Sequence, residues 1–446
     1  MNSWLLELAW TGRGLERRLL LEEAEGRIAR LLPLGDGPAP RGARVVSGLT
    51  LPGLANAHSH AFHRALRGRQ QRPSAGRSDF WSWREGMYRL AGRLTPEQLF
   101  RLARATYGEM ALAGITAVGE FHYLHHQEGG RPYRGPLMEE ALVAAADEAG
   151  VRLTLLDTCY LRPGFQGGEL KGPGARFSDR DGESWRRRVE GLSTPPHVIL
   201  GAAIHSVRAV DPGAMAVVRD WAEERGAPLH LHLSEQLAEN RDCRRATGLS
   251  PTELVARLEV LGERTTAVHA IHLSRHDVEL LGSTGTTVCA CPTTERDLGD
   301  GVCPALELER AGCPLSLGTD GQAVIDLFEE ARAVELDQRI RRHRRGLHEP
   351  EALLRAATRG GSRALGWDAG ELREGRLADF IAVSLQGCRL AGAELGDPVA
   401  QVVYAAHPAD VHQVVVAGRV VVEDGEHRRL GSVGSLLEQS LSELGS

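Results

Sequence analysis

The stretch LPGLANAHSHAFHRALRG, residues 51–68, ends an apolar run in two histidines, His58 and His60. Side chains at i and i+2 of a strand share a face, so both imidazoles lean from one strand end toward one point. That suits a metal ion, but two ligands do not make a site. The others must come from distant parts of the chain, on elements that a fold can bring together.

Working outward, eight short apolar or β-branched runs alternate with helical patterns between residues 45 and 370. They are VVSGLTLPGLANAHSH, GITAVGEFHY, VRLTLLDTCY, VILGAAIHSVR, PLHLHLSE, TTAVHAIHL, TTVCACPT and PLSLGTDG. Thr95-Pro96 with Gly114, Asp211-Pro212 with Gly226, and Ser250-Pro251 with Gly262 bracket three of the intervening helices. A polar cap, proline at the first helical position and glycine past the end are the expected boundary signals. Strand and helix repeated eight times predict an α/β fold, a parallel (β/α)8 TIM barrel over residues 51–371. A doubly wound open sheet is the alternative that strand count leaves standing. Residues 1–50 and 372–446 carry short strands and Gly turns without helical crossovers, and predict a small composite β-sandwich built from both chain ends. The Gly-rich polar segment 162–184 reads as either disordered or a lid over a site, with the lid preferred.

Composition limits the function classes. With 446 residues, 42% hydrophobic and 25% charged, the chain has ordinary globular make-up and length for a large core. A net charge of −6 gives no general attraction for nucleic acid or an anionic membrane, so neither is expected as a partner. Seven cysteines, an odd number without paired spacing, fit a reduced, cytoplasmic protein. The N-terminal MNSWLLELAW is interrupted by Glu7 and reads as neither a signal peptide nor a membrane span. Cys289 and Cys291 in VCACPTTE read as small apolar residues on a buried strand.

In barrel enzymes the working residues stand at the C-terminal strand ends. The first strand offers His58 and His60 there, the fifth His230, His232 and Glu235, the sixth His269 and His272, and the eighth Asp320. The intervals between them allow about 30 residues per strand–helix unit. Zinc accepts histidine nitrogen and carboxylate oxygen, and a catalytic site keeps a position for water, which the ion acidifies. His58, His60, His232 and Asp320 are therefore the expected ligands. Glu235 is placed to protonate a substrate nitrogen, His269 to stabilise developing charge or relay a proton, and Asp320 to take a proton from water. One metal is expected, because the fourth strand has no lysine to bridge two and Lys171, in the Gly-rich segment, is the only lysine in the chain.

These residues resemble the amidohydrolase superfamily, in particular its single-zinc deaminase branch. More narrowly, NAHSHAFHRAL, DFWSWREGMYRLA, GITAVGEFHYLHH, AIHSVRAV, HLHLSEQ, HAIHL and CPTTERDLGDG resemble the formimidoylglutamate deiminase family. That resemblance implies hydrolysis of N-formimidoyl-L-glutamate to N-formyl-L-glutamate and ammonia in histidine degradation, one Zn²⁺ per subunit, and a homodimer. It implies the ligands and catalytic pair named above, and substrate contacts from His63, Arg84, Tyr123, His205 and Arg208. Independently, a small dianionic substrate calls for cationic contacts, and the guanidinium fork matches a carboxylate. Two positions depart from the family pattern: His63 stands where glutamine is usual, and Gly321-Gln322 follow Asp320 where Ser-His is usual. The rival readings are a related deaminase of an aromatic amine or cyclic amidine, and a non-catalytic barrel.

Overall fold

The structure, a computed structural model, describes residues 2–69, 71 and 80–445. At Gly53 the first apolar run passes from one sheet to another: Arg44–Pro52 joins the sheet of the chain ends, and Leu54–Ser59 enters the barrel. A Cβ at residue 53 would lie 2.2 Å from Thr116 Oγ1, so the crossing requires glycine.

Eight parallel strands follow in chain order: Leu54–Ser59, Ile115–His122, Arg152–Cys159, Val198–Ser206, Leu229–Leu233, Thr265–His269, Thr287–Ala290 and Leu315–Leu317. The last closes on the first. Ser59 and Asp320 form a parallel bridge, with Asp320 N–H donating to His58 O at 3.0 Å and His60 N–H to Asp320 O at 3.2 Å. A doubly wound sheet reverses its strand order and leaves two edges; this one does neither.

The helix boundaries follow local chemistry. Pro96–Leu112 starts at a Thr95–Gln98 capping box, and Pro212–Arg225 ends at Gly226 in the left-handed region at φ 59°. The helix opened by Ser250-Pro251 is shorter than its bracket: it stops at Arg257, where Glu259 turns left-handed at φ 56° and Val260 N–H reaches back to Val255 O.

The strands of the two chain ends form one continuous, mixed, eight-stranded sheet, joined where Arg44–Pro52 pairs antiparallel with Phe380–Val383. It has its own small core, in which Trp4 meets Phe380 edge to face at 5.3 Å among Leu6, Leu21 and Val415. The C-terminal segment also contributes a helix absent from the strand reading, Val433–Gly445, whose Val433 and Leu437 pack on Ala105 of Pro96–Leu112.

A buried ion pair ties the barrel to this sheet. Arg152, at the start of the third barrel strand, donates from Nε to Asp379 Oδ2 at 2.6 Å and from Nη2 to Oδ1 at 3.1 Å. Asp379 also accepts from Ala417 N–H at 2.7 Å. Arg152→Met leaves the Asp379 carboxylate buried without its cation, and is expected to cost about 3–5 kcal/mol in chemical denaturation. A loss below about 1 kcal/mol, the range of a solvated surface pair, would show that water reaches Asp379.

Candidate active site

The site stands at the C-terminal ends of the barrel strands. His58 is on the first strand and His60 just beyond it; His232 is on the fifth, His269 ends the sixth, and Asp320 lies three residues past the eighth. Their donor atoms converge. His232 Nε2 is 3.1 Å from His58 Nε2, and Asp320 Oδ1 is 3.3 Å from His58 Nε2 and 3.4 Å from His60 Nε2. The grouping extends to His269, whose Nε2 is 3.8 Å from Asp320 Oδ2 and 3.9 Å from Glu235 Oε1.

The backs of two rings are fixed by backbone carbonyls. His60 Nδ1 donates to Phe121 O and His232 Nδ1 to His205 O, each at 2.9 Å. His205 is freed for this by a register shift between Ile204 and Ser206 on the fourth strand. With the proton on Nδ1, the Nε2 lone pair faces inward, the arrangement that a metal-binding imidazole needs. Burial pushes the pKa values of His58, His60 and His232 down, and repulsion among neighbouring rings adds to it, which favours the neutral form that binds a cation. Burial opposes ionisation of Asp320, but its contacts with His58, His269 and His60 outweigh that and hold the carboxylate well below its usual range. Three nitrogens and an anionic oxygen around one point fit a borderline cation such as zinc.

The acid and base environments differ within a few ångströms. Burial pushes Glu235 up, toward its protonated form. Burial also opposes charge on His269, but Glu235, the contact to Glu295 and Asp320 together raise it to about 10.

The same cavity is lined by the other five residues singled out in the sequence, His63, Arg84, Tyr123, His205 and Arg208. Tyr123 follows the second strand, and His205 ends near Arg208 at the fourth. His63 sits on a 3-10 turn, Ala61–Leu66, with Nε2 3.0 Å from Tyr123 Oη and Nδ1 buried without a partner among the described residues. Arg208 Nη1 is also buried, with no hydrogen-bond partner among the described residues. Arg84, on the helix Phe80–Arg93, donates from Nη2 to Tyr88 Oη at 2.7 Å and Tyr160 Oη at 2.9 Å. Asp79 of the DFWSWRE motif and the side chains of Phe80 and Trp81 lie outside the described residues.

Sequence reasoning missed Tyr160, Trp83, Met87 and Leu298 as lining residues. Tyr160 directly follows the third strand, so the strand-end rule applied there would have found it; its ring lies 3.8 Å from that of His205. The others sit on helices, where no periodic signal marks them. His230 is one layer deeper, bonded to Ala364 O at 2.9 Å, and His272 is half-buried beside the mouth, outside the cavity lining. The segment 162–184 is a pinned wall rather than a lid. Arg176 donates to the carbonyls of His126, Ala91 and Leu94, and Phe177 is buried against Tyr160, Tyr123 and Tyr88.

A second group with metal-like spacing, His122, His125 and Glu139, lies outside the barrel wall. Arg188 already supplies its positive charge, at 3.1 Å from Glu139 Oε1, 2.7 Å from Asp157 Oδ2 and 2.8 Å from Asp179 Oδ2. A metal ion there would face a guanidinium across the same oxygen, so the group is a buried ion network.

Residues 49–421 match the amidohydrolase family. The chain is 36% identical to formimidoylglutamate deiminase of Pseudomonas aeruginosa over 96% of each chain. It is 33% identical to 8-oxoguanine deaminase of the same organism over 93% of this chain and 92% of that one. The solved structure of an amidohydrolase from Brucella melitensis superposes with a TM-score of 0.90 at 33% identity, covering 100% of both chains. Barrel, donor set and sequence match agree: the chain belongs to the amidohydrolase family, whose members are metal-dependent.

Proposed function

We propose that the protein is a zinc-dependent deiminase, one ion per subunit, that hydrolyses N-formimidoyl-L-glutamate to N-formyl-L-glutamate and ammonia. The observation that carries this reading is one cavity lined by His60, His232, Asp320 and two arginines, Arg84 and Arg208, with His58 Nε2 3.1 Å from His232 Nε2. An unpaired, buried guanidinium nitrogen is costly to keep, and a substrate carboxylate relieves that cost. The similarity to a formimidoylglutamate deiminase supports the same substrate.

His58, His60, His232 and Asp320 would hold the ion, which when bound supplies Lewis acidity and an acidified water. Asp320 Oδ2, turned toward His269, accepts the proton released as water adds to the imino carbon. Glu235, whose protonated form burial favours, donates its proton to the substrate nitrogen that leaves. As the carbon–nitrogen bond breaks, the proton held by Asp320 passes to that nitrogen and ammonia departs, while the oxygen left on carbon gives its remaining proton back to the Glu235 carboxylate and becomes the formyl group. His269 Nε2 lies between the two carboxylates and stabilises charge as it develops. We read the protein further as a cytoplasmic homodimer of histidine degradation. All seven cysteines are unpaired, and no described helix is long and apolar enough to cross a membrane.

Incubation with formimidoylglutamate is expected to yield formylglutamate and ammonia by mass spectrometry; glutamate with formamide, or turnover of 8-oxoguanine alone, would overturn the substrate assignment. Chelation should abolish this turnover and Zn²⁺ restore it. Glu235→Gln should retain zinc and lose roughly 10²–10⁴ in kcat, whereas a metal-free variant would make Glu235 a ligand instead. Arg208→Met should raise KM by about 10–100-fold, the value of one charge-assisted hydrogen bond, with zinc content unchanged.

A further inference from the structure

His269 is built under constraint. It ends the sixth strand at φ 70°, and Ala270 follows at φ 50°, a left-handed pair that residues with a Cβ rarely adopt. Two backbone hydrogen bonds hold the turn, from Ala270 N–H to Leu233 O at 3.0 Å and from His272 N–H to Ser234 O at 3.1 Å. They fix where the ring begins, not which way it faces. A half-turn about its last side-chain torsion would exchange nitrogens for carbons and withdraw Nε2 from Glu235 and Asp320.

One group distinguishes the two orientations. Glu295 Oε1 lies 3.4 Å from His269 Nδ1. Glu295 is buried on the helix Pro292–Leu298, directly after the seventh strand. The same oxygen accepts Cys291 N–H at 2.9 Å, and Glu295 N–H returns to Cys291 O at 3.0 Å. The carboxylate is thus locked to its own backbone before it meets the ring. On the ring's face, His232 stacks at 5.5 Å with planes 18° apart, a contact indifferent to a half-turn.

We propose that Glu295 is a positioning residue for the hydrolytic reaction: it accepts the His269 Nδ1–H and so holds the ring in the one orientation that presents Nε2 to Glu235 and Asp320. The arrangement is the base–orienter logic of a catalytic triad, transferred to a charge-stabilising imidazole. The kinetic part of this inference rests on the function proposed above; the orientation does not.

The test uses the zinc-loaded enzyme with Glu295→Gln, Glu295→Ala and His269→Asn. A low-field proton resonance from His269 Nδ1–H, identified by its loss in His269→Asn, is expected in the unaltered enzyme. It should shift in Glu295→Gln, which keeps an acceptor oxygen, and disappear in Glu295→Ala. With formimidoylglutamate, Glu295→Ala should lower kcat by roughly 10–100-fold, with KM and zinc content within about twofold, and Glu295→Gln should recover part of the loss. An unmoved resonance in both variants, an unchanged kcat, or an effect confined to KM would overturn the proposal. Should Glu295→Ala not fold, the isosteric Glu295→Gln decides alone, by its resonance. If formimidoylglutamate is not a substrate at all, the function proposed above fails, while the resonance still decides the role of Glu295.

Discussion

The whole site hangs on the seam that closes the barrel. Two backbone hydrogen bonds connect Asp320 to His58 and His60, joining residues more than half the chain apart. The eighth strand, Leu315–Leu317, is too short to hold that register by itself. Side chains complete the seam: Asn56 brackets Thr319, accepting from its N–H at 2.9 Å and donating to Oγ1 at 2.7 Å. Gln322 donates from Nε2 to Ser59 Oγ at 3.0 Å and Asp320 O at 2.9 Å. Gly318 makes the approach possible, since a Cβ there would stand 2.7 Å from His58 Cβ. Bulk at that glycine would press directly on His58 and part the seam that carries Asp320.

Burial then sorts the ionisable groups into roles. Desolvation penalises every charged form in the pocket, so a group stays ionised only where a specific neighbour outweighs that penalty. Asp320 has such neighbours, and its carboxylate is favoured; for Glu235 burial outweighs the pull of His269 and Arg208, and its pKa is pushed up. Two carboxyl groups separated by one histidine are driven apart in acidity, the pattern that lets one site run both halves of a hydrolysis. The ion network at Arg188 is the instructive contrast. There the same residue types, His125, Glu139, Asp157 and Asp179, are neutralised by an arginine of the chain itself, and they staple helices to the barrel wall.

Much of this was legible because strand ends carry the chemistry and strands have a period of two. His58 with His60, His232 and Glu235, and Asp320 each follow a short apolar run, and a closed sheet of sequential strands must bring such ends to one rim. What failed to show depended on contacts between elements. Glu295 reads as an ordinary helical glutamate until the sixth and seventh strands are placed side by side. The segment 162–184 reads as a lid because composition averages its glycines and charges. Two residues decide otherwise: Arg176 satisfies three backbone carbonyls and Phe177 enters an aromatic core. The end strands were recognised singly, but nothing in their pattern says that Arg44–Pro52 will join both chain ends into one sheet.

The two departures from the family pattern differ in kind for the same reason. Gln322 looks like the loss of a substrate-facing group, yet it is fully buried in the barrel seam, with its amide oxygen accepting from Thr319 Oγ1 at 2.8 Å and its nitrogen shared between Ser59 and Asp320. Its work is to hold Asp320, so the exchange leaves the cation site intact. His63 lies in the cavity. One nitrogen is engaged with Tyr123, and Nδ1 has no partner among the described residues. A glutamine amide offers an acceptor and two donor hydrogens, while this imidazole offers one atom of a polarity set by the Tyr123 hydroxyl. The exchange at residue 322 therefore leaves the seam and the cation donors in place, whereas the one at residue 63 changes a polar group that lines the cavity.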